Sequence, residues 1–131
     1  MSDDARIAVR WQDIDGLGHA NHTVFLTYLE EGRDRWLRGH GIPRDEYVVG
    51  RCTVHYRREI GPELEAVRVR CRAAEVGRSS LTTSEQLLDD DGNVLADAEF
   101  ALVLWDPGER RSRPISDAER RSLQQNLEAP R

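Results

Sequence analysis

The stretch that most constrains this chain runs from residue 64 to residue 105, where three runs of period-2 sequence are separated by turns too short to hold a helix. In "LEAVRVRCRA" (64–73), Val67, Val69 and Cys71 alternate with Arg68, Arg70 and Arg72, so an extended strand there has one apolar and one cationic face. "EVGRS" (75–79) leads into "SSLTTSEQLL" (79–88), and "DDDGN" leads into "NVLADAEFALVLW" (93–105), with Gly92 where a hairpin turn demands positive φ. Strands joined this tightly run antiparallel, because a parallel crossover needs a connection of a dozen or more residues.

Two further β-rich runs extend the pattern. "YVVGRCTVHYR" (47–57) joins the first run through "REIGPE", and near the N-terminus Ile7, Val9 and Trp11 alternate with Arg6, Ala8 and Arg10. One segment breaks the period: Phe25, Tyr28, Leu29, Gly32 and Trp36 fall at offsets of three, four, seven and eleven, one face of a helix. Glu30, Glu31, Arg33, Asp34 and Arg35 are expected on the solvated remainder. Asn21 or Thr23 suits the N-cap, and "GHGIP" (39–43) supplies the glycine and proline that stop a helix. Gly32 on the apolar stripe lowers helix stability, so it predicts a close approach to the sheet. Ser116 followed by Glu119 is a capping-box pattern, which predicts a short C-terminal helix before a frayed end. The expected architecture is α+β, in the order β-α-β-β-β-β: one long central helix and an antiparallel sheet of about five strands. It is expected as a single domain over residues 1–131, with 106–131 as a C-terminal extension.

Composition excludes some functions. The net charge of −5 disfavours nucleic acid as the main partner, since neutralising phosphates needs a basic surface. No run approaches the roughly 20 apolar residues of a membrane span, and "MSDDARIAV" lacks the basic and apolar regions of a signal peptide, so a cytoplasmic location is expected. Cys52 and Cys71 lack CxxC spacing and are expected as buried reduced thiols, not a disulfide.

The chemistry concentrates in "RWQDIDGLGHANHTVF" (10–25), between the first strand and the helix. From the residues alone, three readings stand. A structural turn would use Asp13 and Asp15 for turn hydrogen bonds and Asn21 as the helix cap. A metal site would draw on Asp13, Asp15, His19 and His22, although their spacing matches no ligand pattern. A catalytic carboxylate beside a helix N-terminus would combine a general base or nucleophile with backbone N–H groups that polarise a carbonyl, a combination suited to acyl transfer.

"RWQDIDGLGHANHTVFLTYLEEGR" resembles the N-terminal signature of the hotdog-fold thioesterases of the 4-hydroxybenzoyl-CoA thioesterase type. There an aspartate precedes a Gly-His segment with an asparagine that opens the long helix. "VHYRREIGPELEAVRVRCRAAEVGRSSLTTSEQLLDDDGNVLADAEFALVLWD" is similar to the family's succession of strands, so the resemblance covers roughly residues 5 to 121.

That resemblance implies hydrolysis of acyl-CoA, or acyl carrier protein, thioesters without metal or organic cofactor. Asp15, three residues before Gly18, takes the catalytic aspartate's place, with Asp13 as the competing candidate, read as a turn residue. The backbone N–H of His22, in the first helical turn, is placed as the oxyanion donor, with Asn21 opening the helix. His22 stands where many relatives carry a second asparagine. For substrate binding the resemblance points to His19, to Arg78 toward the CoA phosphates, and to Arg57 and Arg58 more weakly. Tyr56, Trp36 and Phe25 are candidate acyl-pocket residues, and Glu30 and Glu31 candidate catalytic assistants, though helical position favours a solvated face for both. A homodimer, or a tetramer of dimeric units, is implied, with active sites built by both chains. The competing function is a non-catalytic acyl-CoA-binding module that keeps the fold without the chemistry.

Overall fold

The computed structural model describes residues 4–127. Its elements run β1 (Ala5–Ala8), α1 (His22–Gly39), β2 (Tyr47–Tyr56), β3 (Ala66–Val76), β4 (Ser80–Leu88), β5 (Val94–Asp106), a two-residue β6 (Arg111–Ser112) and α2 (Asp117–Gln124). All strand pairings in the sheet are antiparallel, in the order β1-β3-β4-β5-β2, with β6 pairing only with the far end of β5. The hairpins form where the short turns require them, and Gly92 takes a φ of 86° in the second. The expected fray at the extreme C-terminus falls on 128–131, outside the described residues, as does the start of the segment read for a leader.

Helix α1 lies across one face of this sheet, packed mainly on β1, β3 and β4. Phe25, Tyr28, Leu29 and Leu37 from the helix are buried against Val67, Val69 and Cys71 of β3, Leu81 and Leu87 of β4, and Phe100 and Leu102 of β5. Each such aliphatic or aromatic side chain contributes roughly 1.5–3 kcal/mol by leaving water. Gly32 makes the close approach its position predicts: a Cβ there would overlap the Val69 side chain. This is the hotdog arrangement, a sheet wrapped around one helix.

Three expectations are corrected. The first strand ends at Ala8, not Trp11; residues Trp11–Asp13 form a 3-10 turn in which Trp11 is 90% exposed. The turn forms because Asp13 is drawn inward by the backbone N–H of Arg10 and the hydroxyl of Tyr28, which ends the alternation. Arg33 is not solvated but 2% exposed, because Glu85 of β4 lies inward beneath it and pairs with it at 2.8 Å. Finally, both cysteines are free, yet only Cys71 is buried; Cys52 is exposed on β2, a strand whose outer side has no neighbour among the described residues.

Candidate active site at the start of the long helix

The loop from residue 9 to residue 21 is shaped by its two aspartates, which do different work. Asp13 is 8% exposed, and its Oδ2 accepts hydrogen bonds from the Arg10 backbone N–H (3.0 Å), Arg10 Nε (3.1 Å) and the Tyr28 hydroxyl (2.8 Å). Burial acts against its charge, but these donors outweigh it and hold the carboxyl below its ordinary range. Burial and the same contact push the Tyr28 hydroxyl well up. Asp13 therefore anchors the loop to the helix, in keeping with its reading as a turn residue.

Asp15 closes the next turn. Its Oδ1 accepts from the N–H of Leu17 (2.8 Å) and more loosely from that of His19 (3.4 Å), while its own N–H donates to the His19 carbonyl. An isolated antiparallel bridge between Ile14 and Ala20 staples the base of this loop. Gly18, at φ 84°, occupies backbone space that a side chain rarely adopts. The second carboxylate oxygen of Asp15 faces His19, whose Nδ1 lies 3.9 Å away, and Asp15 is 30% exposed.

Asn21 then caps α1, its Oδ1 accepting from the N–H groups of Thr23 and Val24. The N–H of His22, the first helical residue, has no partner among the described residues. An open cleft of about 430 Å³ lies there, lined by His19, Ala20, Asn21, His22, Phe25, Tyr56, Arg57, Arg58 and Glu59. Its apolar wall is aromatic: Phe25 meets Tyr56 edge-on at 5.1 Å between centroids, and His22 meets Tyr56 at 6.4 Å. Arg57 is tied to Asp97 at 2.8 Å but stays half exposed.

Most expected site residues thus gather at one end of the sheet, and some do not. Asp15 stands behind His19 and does not itself line the cleft. Arg78 lies at the far end: the row Val69, Leu87, Ala96 and Tyr56 marks the cleft, whereas Arg78 follows Val76, seven residues further along β3 and so roughly 23 Å away at ~3.3 Å per residue. Trp36 is also remote, donating from Nε1 to Asn126 at the other end of the helix. Glu31 pairs with Arg10 and Glu30 is exposed, as their helical positions suggest. The metal reading loses Asp13 to Arg10 and Tyr28, and no cluster of three or more His, Cys, Asp or Glu among the described residues is arranged to hold an ion. Glu59, on the cleft rim, is a residue that sequence reasoning missed; only its place in the connection after β2 signals it.

Comparison with known proteins supplies the context. A family model described as the thioesterase-like superfamily matches residues 9–127. The long-chain acyl-CoA thioesterase FadM of Escherichia coli (strain K12) is 25% identical over 130 residues, spanning 92% of this chain and 96% of FadM. Among solved structures, a thioesterase of Thermus thermophilus complexed with coenzyme A and Zn is 34% identical, with a TM-score of 0.81 over 92% of this chain and 96% of its own. The PA2801 protein of Pseudomonas aeruginosa, a thioesterase by assignment only, is 31% identical at a TM-score of 0.81, over 91% and 95% of the two chains.

Proposed function

The chain belongs to the thioesterase-like superfamily and is a thioester hydrolase of the hotdog fold; from that premise we propose that it cleaves acyl-CoA with Asp15 as its carboxylate. The observation that carries the proposal is the pairing of an unclaimed His22 N–H with an adjacent cleft, on a loop where Asp15 faces the cleft-lining His19.

In this reading the thioester carbonyl oxygen accepts a hydrogen bond from the His22 N–H. Helix α1 adds its positive dipole end to the negative charge developing there. Asn21 fixes that end of the helix, and Gly18 and His19 bring the loop against it. The free oxygen of Asp15 then either attacks the carbonyl carbon, expelling CoA thiolate and leaving an acyl-aspartyl anhydride that water opens, or takes a proton from water that attacks directly. Both routes release a carboxylic acid and CoA thiol. Phe25 and Tyr56 flank the acyl group, and Arg57 and Arg58 offer their charges to the CoA phosphates. The relatives complexed with or acting on CoA compounds support this substrate class. No described helix is long and apolar enough to cross a membrane.

Dimerisation through β2 completes the proposal. β2 pairs with β5 on one side only, and Val48 and Val49 are exposed along it, an open edge of the kind that a second copy covers. Antiparallel pairing of two β2 strands sets the Tyr47 end of one beside the Tyr56 end of the other. A second copy therefore brings its Arg78 toward the cleft, where the same chain's Arg78 cannot reach.

The test is free-thiol release from short, long and aromatic acyl-CoA, comparing the parent with Asp15→Asn at matched oligomer content. A fall of about 10²-fold or more is expected if the carboxylate is base or nucleophile. One observation favours the alternative, a binding module: Asp15 engages its own turn and stands back from the cleft. Acyl-CoA binding without turnover by the parent would establish that alternative, and undiminished turnover by Asp15→Asn would remove the carboxylate from the mechanism.

A further inference from the structure

The β3 edge is left open beside the C-terminal half of α1. Strand β1 begins at Ala5, opposite Val69, and the next described residue to pair with that edge is Leu127, which bridges Ala73. Between them, Cys71 and Arg72 have no strand on that side among the described residues. A groove of about 390 Å³ lies in this gap, bounded by α1, the β3 edge and Asn126. It is separate from the cleft: Trp36 stands 14 residues beyond His22, roughly 21 Å along the helix axis at ~1.5 Å per residue.

The lining divides by polarity. Trp36, Val69 and Cys71 make an apolar floor, with the indole fixed by its Nε1 bond to Asn126 at 3.0 Å and an edge-on contact with His40 at 4.9 Å. Burial pushes the Cys71 thiol up and the His40 pKa down, so neither adds charge at neutral pH. Gly39 keeps the helix end of the groove open, since a Cβ there would have nothing within 4 Å. Charge comes from Arg35 and Arg72, neither of which has a carboxylate partner among the described residues. Arg35 donates to the Arg6 carbonyl at 3.3 Å and Arg72 to the Cys71 carbonyl at 2.8 Å, which leaves most of the five N–H donors of each guanidinium uncommitted. Asp4, beside Ala5 on the rim, is engaged by Arg70 through two bonds.

Such a lining selects its occupant. A cation is repelled by the two arginines, a neutral apolar molecule leaves them unpaired, and a small anion leaves the floor wet. We propose that the groove binds a medium-chain carboxylic acid, its tail on Trp36, Val69 and Cys71 and its carboxylate on Arg35 and Arg72. This is the chemical class that a thioester hydrolase releases, so the groove is a second station for product, away from the cleft. The assignment does not depend on which residue supplies the catalytic carboxylate.

The test is a titration with octanoate, followed through the indole N–H of Trp36 in two-dimensional ¹H–¹⁵N NMR. The chain has three tryptophans, and Trp36→Phe identifies the signal. Octanoate is expected to shift it saturably, octan-1-ol to bind about ten-fold more weakly, and acetate and inorganic phosphate to leave it unmoved over the same range. Arg35→Gln and Arg72→Gln are each expected to raise the octanoate Kd about ten-fold. Gly39→Leu places a side chain in the open groove and should abolish the response, whereas Tyr56→Ala, at the cleft, should leave it intact. A shift that never saturates would overturn the proposal, as would octan-1-ol or phosphate binding as tightly as octanoate. A response lost in Tyr56→Ala but kept in Gly39→Leu would place the acid in the cleft and overturn it equally. If Gly39→Leu fails to fold, the arginine variants decide: weakening in both supports the groove, and an unchanged Kd in both overturns it.

Discussion

Glu85 is the residue whose environment departs furthest from its type. It is fully buried, holds Arg33 through two bonds of 2.8 and 3.1 Å and accepts a third from Thr83, while the Arg33 guanidinium lies 3.8 Å over the Phe100 ring. Burial disfavours the Arg33 charge, but Glu85 outweighs it and raises the guanidinium above its ordinary value. Removing one partner leaves the other charged and unpaired in the core, so Glu85→Gln is expected to cost about 3–5 kcal/mol in urea unfolding. Replacing both with apolar groups of similar volume, Arg33→Met with Glu85→Leu, removes that penalty and should recover most of the loss; a double variant as unstable as the single would argue against a desolvated pair. The signal for this pair is present in the sequence. Glu85 keeps the inward phase of Leu81, Thr83 and Leu87, and Arg33 lies roughly two helical turns from Phe25 on the buried stripe. Residue type conceals it, because charge ordinarily marks the solvated face and only the juxtaposition of helix and sheet reveals the partner. Asp13 is similar: its turn role is legible, but Tyr28 as its partner is not.

At the scale of elements, helix α2 is tied to the rest of the chain by several side-chain contacts, the Arg113–Glu119 pair and the Arg120 bond to the Gly77 carbonyl among them, and one further contact involves a histidine. Leu123 is buried, Trp36 donates to Asn126, and His40 at the end of α1 meets the Ser122 hydroxyl at 2.6 Å. Burial lowers the His40 pKa below its usual 6.5. A histidine kept neutral by the fold contributes stability that is complete above its unfolded pKa of about 6.5 and declines as pH falls toward the lower folded value. The melting temperature should therefore drop between pH 7 and pH 5, and His40→Gln should flatten that limb while leaving acid unfolding at lower pH in place. An identical slope in the variant would move the titration elsewhere. The element order, the hairpins and both helices were legible because each is specified locally, by period, turn and cap. The early end of β1 was not, because Ile7, Val9 and Trp11 keep strict alternation while the contacts that break it come from Arg10 and the distant Tyr28. Gly32 was legible for the opposite reason: its cost to a helix requires a compensating neighbour, and Val69 is that neighbour.

For the whole molecule, the site residues named from sequence divide between two ends of one sheet, and the division itself is informative. Asp15, His19, His22, Tyr56 and Arg57 cluster at one end, whereas Arg78 sits beyond Val76 at the other, its carbonyl accepting from the N–H of Ile115. Sequence order could not reveal this, since the distance depends on the direction of β3 relative to the helix start. If the site draws Asp15 from one chain and Arg78 from its partner, two defective variants complement each other. Asp15→Asn and Arg78→Glu, each impaired alone at sub-saturating acyl-CoA, would be mixed under conditions that exchange subunits. Every mixed dimer then has one site carrying both defects and one carrying neither. Random exchange makes half of the dimers mixed, so about one quarter of all sites become intact and the activity should rise toward that fraction of the parent's. If Arg78 served its own chain's site, every mixed dimer would hold one site of each defect, and mixing would leave activity at the average of the two variants.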